Sequence, residues 1–234
     1  MLKHTLIFGH RGYPQKFPEN SLAGFRYSIQ HQIDGLEFDV HLTKDSVPVI
    51  IHDETIDRTT DGSGEVNSYT FTELRQFKLK NAEPIPSLAE LLDLAAYQAV
   101  HLNLEFKTDK KHYAHIEKIV LKMIRESNLK FPVIFSSFNL ETLKICHRLY
   151  PSQQYCWLTE RQVPNAEKFV KETGLAGLHL QHYQQINVPQ RLWTIDDENS
   201  ARSLFEAGVD GLITDNFEQM KLLQKQLFSS QKAI

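Results

Sequence analysis

Short runs of apolar and β-branched residues alternate along the chain with longer segments whose apolar positions recur every three or four residues. That alternation is the pattern of strands followed by helices, repeated around a parallel sheet. Runs at 5–9, 36–42, 100–106, 133–136, 154–157, 177–180, 191–195 and 211–214 predict eight strands, with 47–52 folding back as a hairpin partner of the second. Helices are predicted over 21–32, 87–97, 113–126, 140–149, 165–173, 199–207 and 217–227. Asn20 and Ser87 stand where N-caps belong, and Gly174 and Gly208 where a helix C-terminus needs a permissive backbone. Eight strands alternating with helices predict an α/β fold, a closed (β/α)8 barrel of the TIM type. One stretch breaks the rhythm: 53–86 is rich in Thr, Asp, Gly and Ser and reads as a small insertion after the second strand and its hairpin, with a short helix near 72–77. Loops of that length in compact folds are commonly functional and often cover a site.

Composition narrows the picture without changing it. The chain has 234 residues, 41% of them hydrophobic, and lacks any Pro-rich linker or internal repeat, so a single domain over 1–234 is expected. A formal net charge of -3 and the lack of a long Lys/Arg run speak against a role in neutralising a nucleic-acid backbone or an anionic bilayer. The apolar stretch Leu6-Ile7-Phe8 is too short for a signal peptide, no window reaches the length of a membrane span, and a cytoplasmic protein is expected. Cys146 and Cys156, the two cysteines, have neither metal-site nor disulfide spacing and read as buried thiols. No surface pattern discriminates a monomer from a homodimer.

Chemistry enters at the strand ends, where barrel enzymes gather their reactive groups. His10 and Arg11 follow the first strand, Glu37 and Asp39 lie on the second, Glu105 and Lys107 close the third, Ser136 and Ser137 the fourth, and Trp193 the seventh. Side chains alternate across a strand, so Glu37 and Asp39 share a face, as do Glu105 and Lys107. With Phe38, Leu104 and Phe106 turned to the helices, three carboxylates converge on the barrel axis. Held together they repel unless one is protonated or a cation binds, and all-oxygen ligation suits a hard ion, Mg²⁺ or Ca²⁺. A divalent ion and the charges of Arg11 and Lys107 would turn the cluster net positive, a place for an anionic oxygen, and the Arg fork matches phosphate geometry. His10 and His52 beside a bound phosphodiester could divide proton removal from proton donation. Neither a Gly-rich nucleotide loop nor a Ser nucleophile elbow occurs, which disfavours ATP-dependent transfer and acyl-enzyme chemistry.

Of the eleven histidines, the other nine, His4, His31, His41, His101, His112, His115, His147, His179 and His182, read as surface or satisfied core residues. Ser136 and Ser137 read as hydrogen-bonding and packing residues, Tyr13, Phe17 and Phe71 as loop anchors, and Glu19 as a buttress for the loop carrying Arg11. Asn20 is accounted for as a helix cap, and Trp193 divides evenly between core packing and a wall of the substrate pocket.

At these positions the sequence resembles the glycerophosphodiester phosphodiesterase family. The resemblance runs through His10-Arg11-Gly12, Pro18-Glu19-Asn20-Ser21, Gly35-Leu36-Glu37-Phe38-Asp39-Val40, Val49-Ile50-Ile51-His52-Asp53, Asp57-Arg58-Thr59-Thr60, Ile85-Pro86-Ser87-Leu88, Asn103-Leu104-Glu105-Phe106-Lys107, Ser136-Ser137-Phe138, Trp193-Thr194 and Gly208-Val209-Asp210-Gly211-Leu212-Ile213-Thr214-Asp215. It implies metal-dependent hydrolysis of small glycerophosphodiesters to sn-glycerol 3-phosphate and an alcohol. Glu37, Asp39 and Glu105 would hold the ion, His10 and His52 act as acid and base, and Arg11 and Lys107 hold phosphate. The sequence departs from the family with Ile195-Asp196 where Val-Asn is usual, and with Asn216 where Pro is common. Two other readings stay open: a lyase-type relative that releases a cyclic phosphate, and a phosphodiester sensor that turns nothing over.

Overall fold

The computed structural model describes residues 4–231. The chain runs through β1 (Leu6–Gly9), α1 (Leu22–Gln30), β2 (Gly35–Leu42) and β3 (Pro48–Ile50), then α2 (Phe71–Leu74), α3 (Leu88–Ala95), β4 (His101–Phe106) and α4 (Ile116–Glu126). There follow β5 (Ile134–Ser137), α5 (Leu140–Leu149), β6 (Gln154–Thr159), α6 (Ala166–Thr173), β7 (Gly177–Leu180), β8 (Gln190–Leu192), α7 (Glu198–Ala207), β9 (Gly211–Thr214) and α8 (Phe217–Gln231). Eight strands pair in parallel in the order β1-β9-β8-β7-β6-β5-β4-β2, and β1 pairs with β2 to close the ring. β3 lies outside the ring, antiparallel to β2. This is a (β/α)8 barrel with one added strand.

Alternation along the strands sorts the apolar residues into two cores. Leu36, Phe38, Val40, Leu104, Phe106, Phe135 and Leu212 point outward into the main core, where they meet apolar faces of the helices such as Val120, Leu121 and Leu143. Phe8, Ile134, Cys156 and Ile213 form a separate small cluster. A strand buried on both faces, as every residue of β2 is, reads as nearly continuous apolar sequence. The polar exceptions Glu37, Asp39 and His41 therefore stand out, and they share the face opposite Phe38 and Val40.

The insertion is organised rather than loose. Ile56, Val66, Leu74, Leu79 and Ile85 pack with Val49 and Ile51 into a third core, flanked by Tyr69, Phe71 and Phe77. Thr70 and Glu73 form a capping box around α2, and Ser87 and Glu90 form another at α3. Arg75 donates to Glu90 Oε2 at 3.0 Å, which fastens the insertion to α3.

Local chemistry trims several predicted elements. β8 stops at Leu192 rather than 195, although Trp193 N still donates to Leu180 O and Ile195 N to Ile213 O. α3 ends at Ala95 because Ala96 leaves helical geometry and Tyr97 takes a positive φ of 61°. Gly174 and Gly208 terminate α6 and α7 in the left-handed conformation, as their sequence positions predict. Asn20 does not cap α1. Ser21 does, accepting from Gly24 N at 3.2 Å, while Asn20 sits at a φ of 55° with its side chain turned elsewhere. Both cysteines are buried and unpaired. No helix among the described residues is long and apolar enough to cross a membrane.

Candidate active site

The site is assembled at the C-terminal rim by turns that leave little freedom. After β1 the chain folds tightly, with Gly12 N donating to Gly9 O at 3.2 Å. A Cβ on Gly9 would sit 2.1 Å from the Gly12 carbonyl oxygen, so only glycine admits this turn. The turn brings Arg11 N against Glu37, to which it donates at 3.0 Å, and Asn20 N back onto the Arg11 carbonyl at 2.8 Å. On the other side of β2, Ile51 N donates to Asp39 O, which delivers His52 to the same rim.

Glu37, Asp39 and Glu105 meet as alternation along β2 and β4 requires. Asp39 and Glu105 are direct neighbours in register, and one carboxylate oxygen from each of the three residues falls within 4.8 Å of the others. Burial and the neighbouring Asp39 charge push the Glu37 carboxyl well above the ordinary range. Burial also raises Glu105, an effect that Lys107 only partly offsets. Burial opposes ionisation of Asp39 as well, but there the Lys107 and Arg11 charges prevail and hold it far below the ordinary range. A buried trio with two unwilling carboxylates is short of positive charge, and its all-oxygen donor set fits a hard divalent cation.

Both basic residues predicted for phosphate are present and already engaged. Lys107 Nζ donates to Glu105 Oε1 at 2.8 Å and lies 3.7 Å from Asp39 Oδ1. Arg11 Nη1 donates to Glu19 Oε1 at 2.9 Å, and its buried Nε has no hydrogen-bond partner, 3.6 Å from Asp39 Oδ2. Asn20 explains its unusual backbone here: Nδ2 donates to Asp39 Oδ2 at 2.9 Å. The residue read as a cap is thus a clamp on a carboxylate of the trio.

Each of the two histidines is held by a carboxylate. His10 Nδ1 lies 2.7 Å from Asp215 Oδ1, and His52 Nδ1 lies 2.7 Å from Asp53 Oδ1. Donation through Nδ1 leaves Nε2 of each ring for a ligand. Burial works to lower His10, but the Asp215 hydrogen bond and the Glu37 charge outweigh it and raise the group. Burial dominates at His52, with Lys107 and Arg11 adding to it over the opposing Asp39 charge, and lowers it. His41 is a satisfied core residue whose Nε2 bonds the His52 carbonyl oxygen at 3.0 Å, while Tyr113 donates to its Nδ1 at 2.7 Å.

His10, Arg11, Glu37, His52, Glu105 and Lys107 border one cavity, together with Trp193 and Phe138. Trp193 stands edge to face with Phe138 at 5.6 Å, so it serves both as packing and as wall. Ser136 accepts from Asn103, and Ser137 donates to the Phe106 carbonyl, so both serine hydroxyls are engaged in hydrogen bonds. Asp53, Asp215, Arg58 and Asn20 are the supporting residues that patterning did not assign. A carboxylate adjacent to His52 in sequence, and another closing the last strand, were the available signals.

A barrel with its polar residues collected at the C-terminal rim defines a TIM-barrel enzyme. The model of the glycerophosphoryl diester phosphodiesterase family matches residues 10–219. A glycerophosphodiester phosphodiesterase of Caldanaerobacter subterraneus is 34% identical, the match covering 92% of this chain and 96% of that protein. One from Bacillus altitudinis is 31% identical over 90% and 94%. Among solved structures, an Oleispira antarctica phosphodiesterase in complex with the product sn-glycerol-3-phosphate superposes with a TM-score of 0.86 at 25% identity, covering 93% of this chain and 96% of that one. The chain belongs to the glycerophosphoryl diester phosphodiesterase family, and its relatives make it an enzyme of that class.

Proposed function

We propose that this chain, working as one unit with 53–86 as its insertion, hydrolyses small dissolved glycerophosphodiesters such as glycerophosphocholine and glycerophosphoethanolamine. The products are sn-glycerol 3-phosphate and the free alcohol. What carries this reading is the convergence of the Glu37, Asp39 and Glu105 trio with two carboxylate-held histidines around a single cavity. The trio would hold Mg²⁺ or Ca²⁺, and such a cation, when bound, supplies positive charge to phosphoryl oxygens as negative charge builds on them.

Arg11 and Lys107 orient the phosphate, since both border the cavity and carry permanent charge beside the trio. His52, whose hold on a proton is weakened by burial, takes the proton of the attacking water or of the glycerol 2-hydroxyl. His10, whose hold on a proton is strengthened by the Asp215 hydrogen bond against burial, gives a proton to the oxygen of the departing alcohol. Trp193 and Phe138 wall the cavity against water. The partner is a small molecule, with no nucleic acid or inserted bilayer involved, and the place of action is the cytoplasm.

The test is release of glycerol 3-phosphate from glycerophosphocholine and glycerophosphoethanolamine, with EDTA and then with Mg²⁺ or Ca²⁺ restored. Restored release that disappears in His10→Ala supports the reading. Binding without turnover under any cation favours a sensor, and accumulation of a cyclic phosphate favours a lyase.

A further inference from the structure

Beneath the charged rim lies a second, uncharged set of polar groups that the chemistry above does not use. Asn103 is one alternation deeper than Glu105 on β4, and His179 lies on β7 beside Arg191 of β8. Asn103 and His179 border the same cavity as the catalytic candidates and are fully buried. Asn103 Nδ2 donates to Ser136 Oγ at 2.8 Å, and its Oδ1 has no partner. His179 Nδ1 also has none.

Arg191 determines what that nitrogen is. Its guanidinium lies in the barrel interior, 5.7 Å from the centre of the Phe8 ring, with Nη1 3.6 Å from Cys156 Sγ and 3.4 Å from His179 Nε2. It takes part in no ion pair among the described residues. A guanidinium has only donors, so Nε2 must offer its lone pair, and the ring proton must reside on Nδ1. Burial, reinforced by the Arg191 charge, holds His179 well below the ordinary value, which keeps the ring neutral and this tautomer the stable one.

The cavity therefore offers an uncommitted donor, His179 Nδ1–H, and an uncommitted acceptor, Asn103 Oδ1. Phosphoryl oxygens are acceptors only and would be repelled by the amide oxygen. A hydroxyl, which donates and accepts, satisfies both kinds of group. Resting on the glycerophosphodiester reading of the site, we propose that His179, its tautomer fixed by Arg191, is a specificity-determining residue that donates to a hydroxyl of the substrate's glyceryl portion, with Asn103 accepting from the same portion.

Calorimetric binding to the whole cation-loaded protein tests this without requiring turnover. The probes are glycerol 3-phosphate and n-propyl phosphate, which share a phosphate and differ in hydroxyls. The wild type should prefer glycerol 3-phosphate by about tenfold or more. His179→Leu should weaken glycerol 3-phosphate by roughly five- to tenfold, the usual effect of losing a hydrogen bond to a buried group, and leave n-propyl phosphate within about twofold. His179→Asn, whose amide donates from near the Nδ1 position, should keep most of the preference. Equal weakening of both probes by His179→Leu would mark a purely structural role and overturn the proposal, as would an unchanged preference. If neither phosphate binds the wild type, the glycerophosphodiester reading itself fails, and this inference with it.

Discussion

Arg58 grips Glu19 through both terminal nitrogens, Nη1 to Oε2 at 2.6 Å and Nη2 to Oε1 at 2.8 Å. The same guanidinium reaches Asp53 through Nε at 2.7 Å and Nη2 at 3.0 Å. Glu19 in turn accepts from Arg11, and Asp53 holds His52. One insertion side chain thus joins the support of the proposed base, His52, to that of the proposed phosphate ligand, Arg11.

Arg58→Ala should lower kcat/KM by about tenfold or more, the scale at which supporting partners of active groups act. Arg58→Lys should recover little of it, because a single ammonium cannot reproduce a fork that spans two carboxylates. Steady-state kinetics with thermal melts would check this, and activity near the wild-type level in Arg58→Ala would remove the link from the mechanism.

Activity should follow a bell-shaped pH profile. A neutral His52 and a protonated His10 are required together, so the rate rises as pH climbs through the His52 value, below the ordinary 6.5, and falls through the His10 value, above it. Asp215→Asn removes the charge that raises His10, so the alkaline limb should move to lower pH while the acid limb stays. Either histidine replaced by alanine should cost about a hundredfold or more in kcat. A profile flat through neutrality would exclude the pair.

The cation-free protein should lose thermal stability as pH rises from the ordinary carboxylate range through neutrality. Glu37 and Glu105 are raised in the folded state, so their contribution is present below the unfolded value and disappears as they are forced to ionise side by side. Mg²⁺ or Ca²⁺ should raise Tm most at the alkaline end, since it binds only the folded trio. Melts across pH with and without cation would show it. Glu105→Gln should weaken the cation effect and be partly rescued by excess cation, whereas a wild-type melt indifferent to cation at every pH would exclude the site.

Neighbouring residues Asn20 and Ser21 should separate cleanly. Ser21→Ala loses the cap of α1 and should cost about 1 kcal/mol of stability with kcat retained. Asn20→Ala releases Asp39 and should impair cation affinity and rate well beyond any change in Tm. Denaturant unfolding alongside cation titration distinguishes them, and parallel behaviour of the two variants would refute the clamp.

How much of this was legible in the sequence differs by kind of residue. The barrel was, because strand and helix periodicities report directly which face is buried, and the rim was, because charged side chains on fully buried strands have few explanations. Asn20 misled because its neighbour Ser21 offers equally good cap chemistry, and nothing local says which of the two turns into the site. Arg58 and Asp215 were hidden for another reason: their partners are distant in sequence, 39 residues away at Glu19 and 205 at His10. The residues at the two departures from the family pattern have structural partners. Asp196 accepts from Thr214 Oγ1 and Asp215 N, and Asn216 accepts from Tyr13, so both steady the loop behind His10.

β3 and the insertion sit outside a ring whose closure uses only the other eight strands. His10 is therefore fixed by barrel geometry, while His52 is supplied by a separately cored appendage. Changes within that appendage would alter one bank of the cleft without disturbing the strand pairing that keeps the ring shut. In such an architecture catalysis could fail by misalignment long before the molecule unfolds.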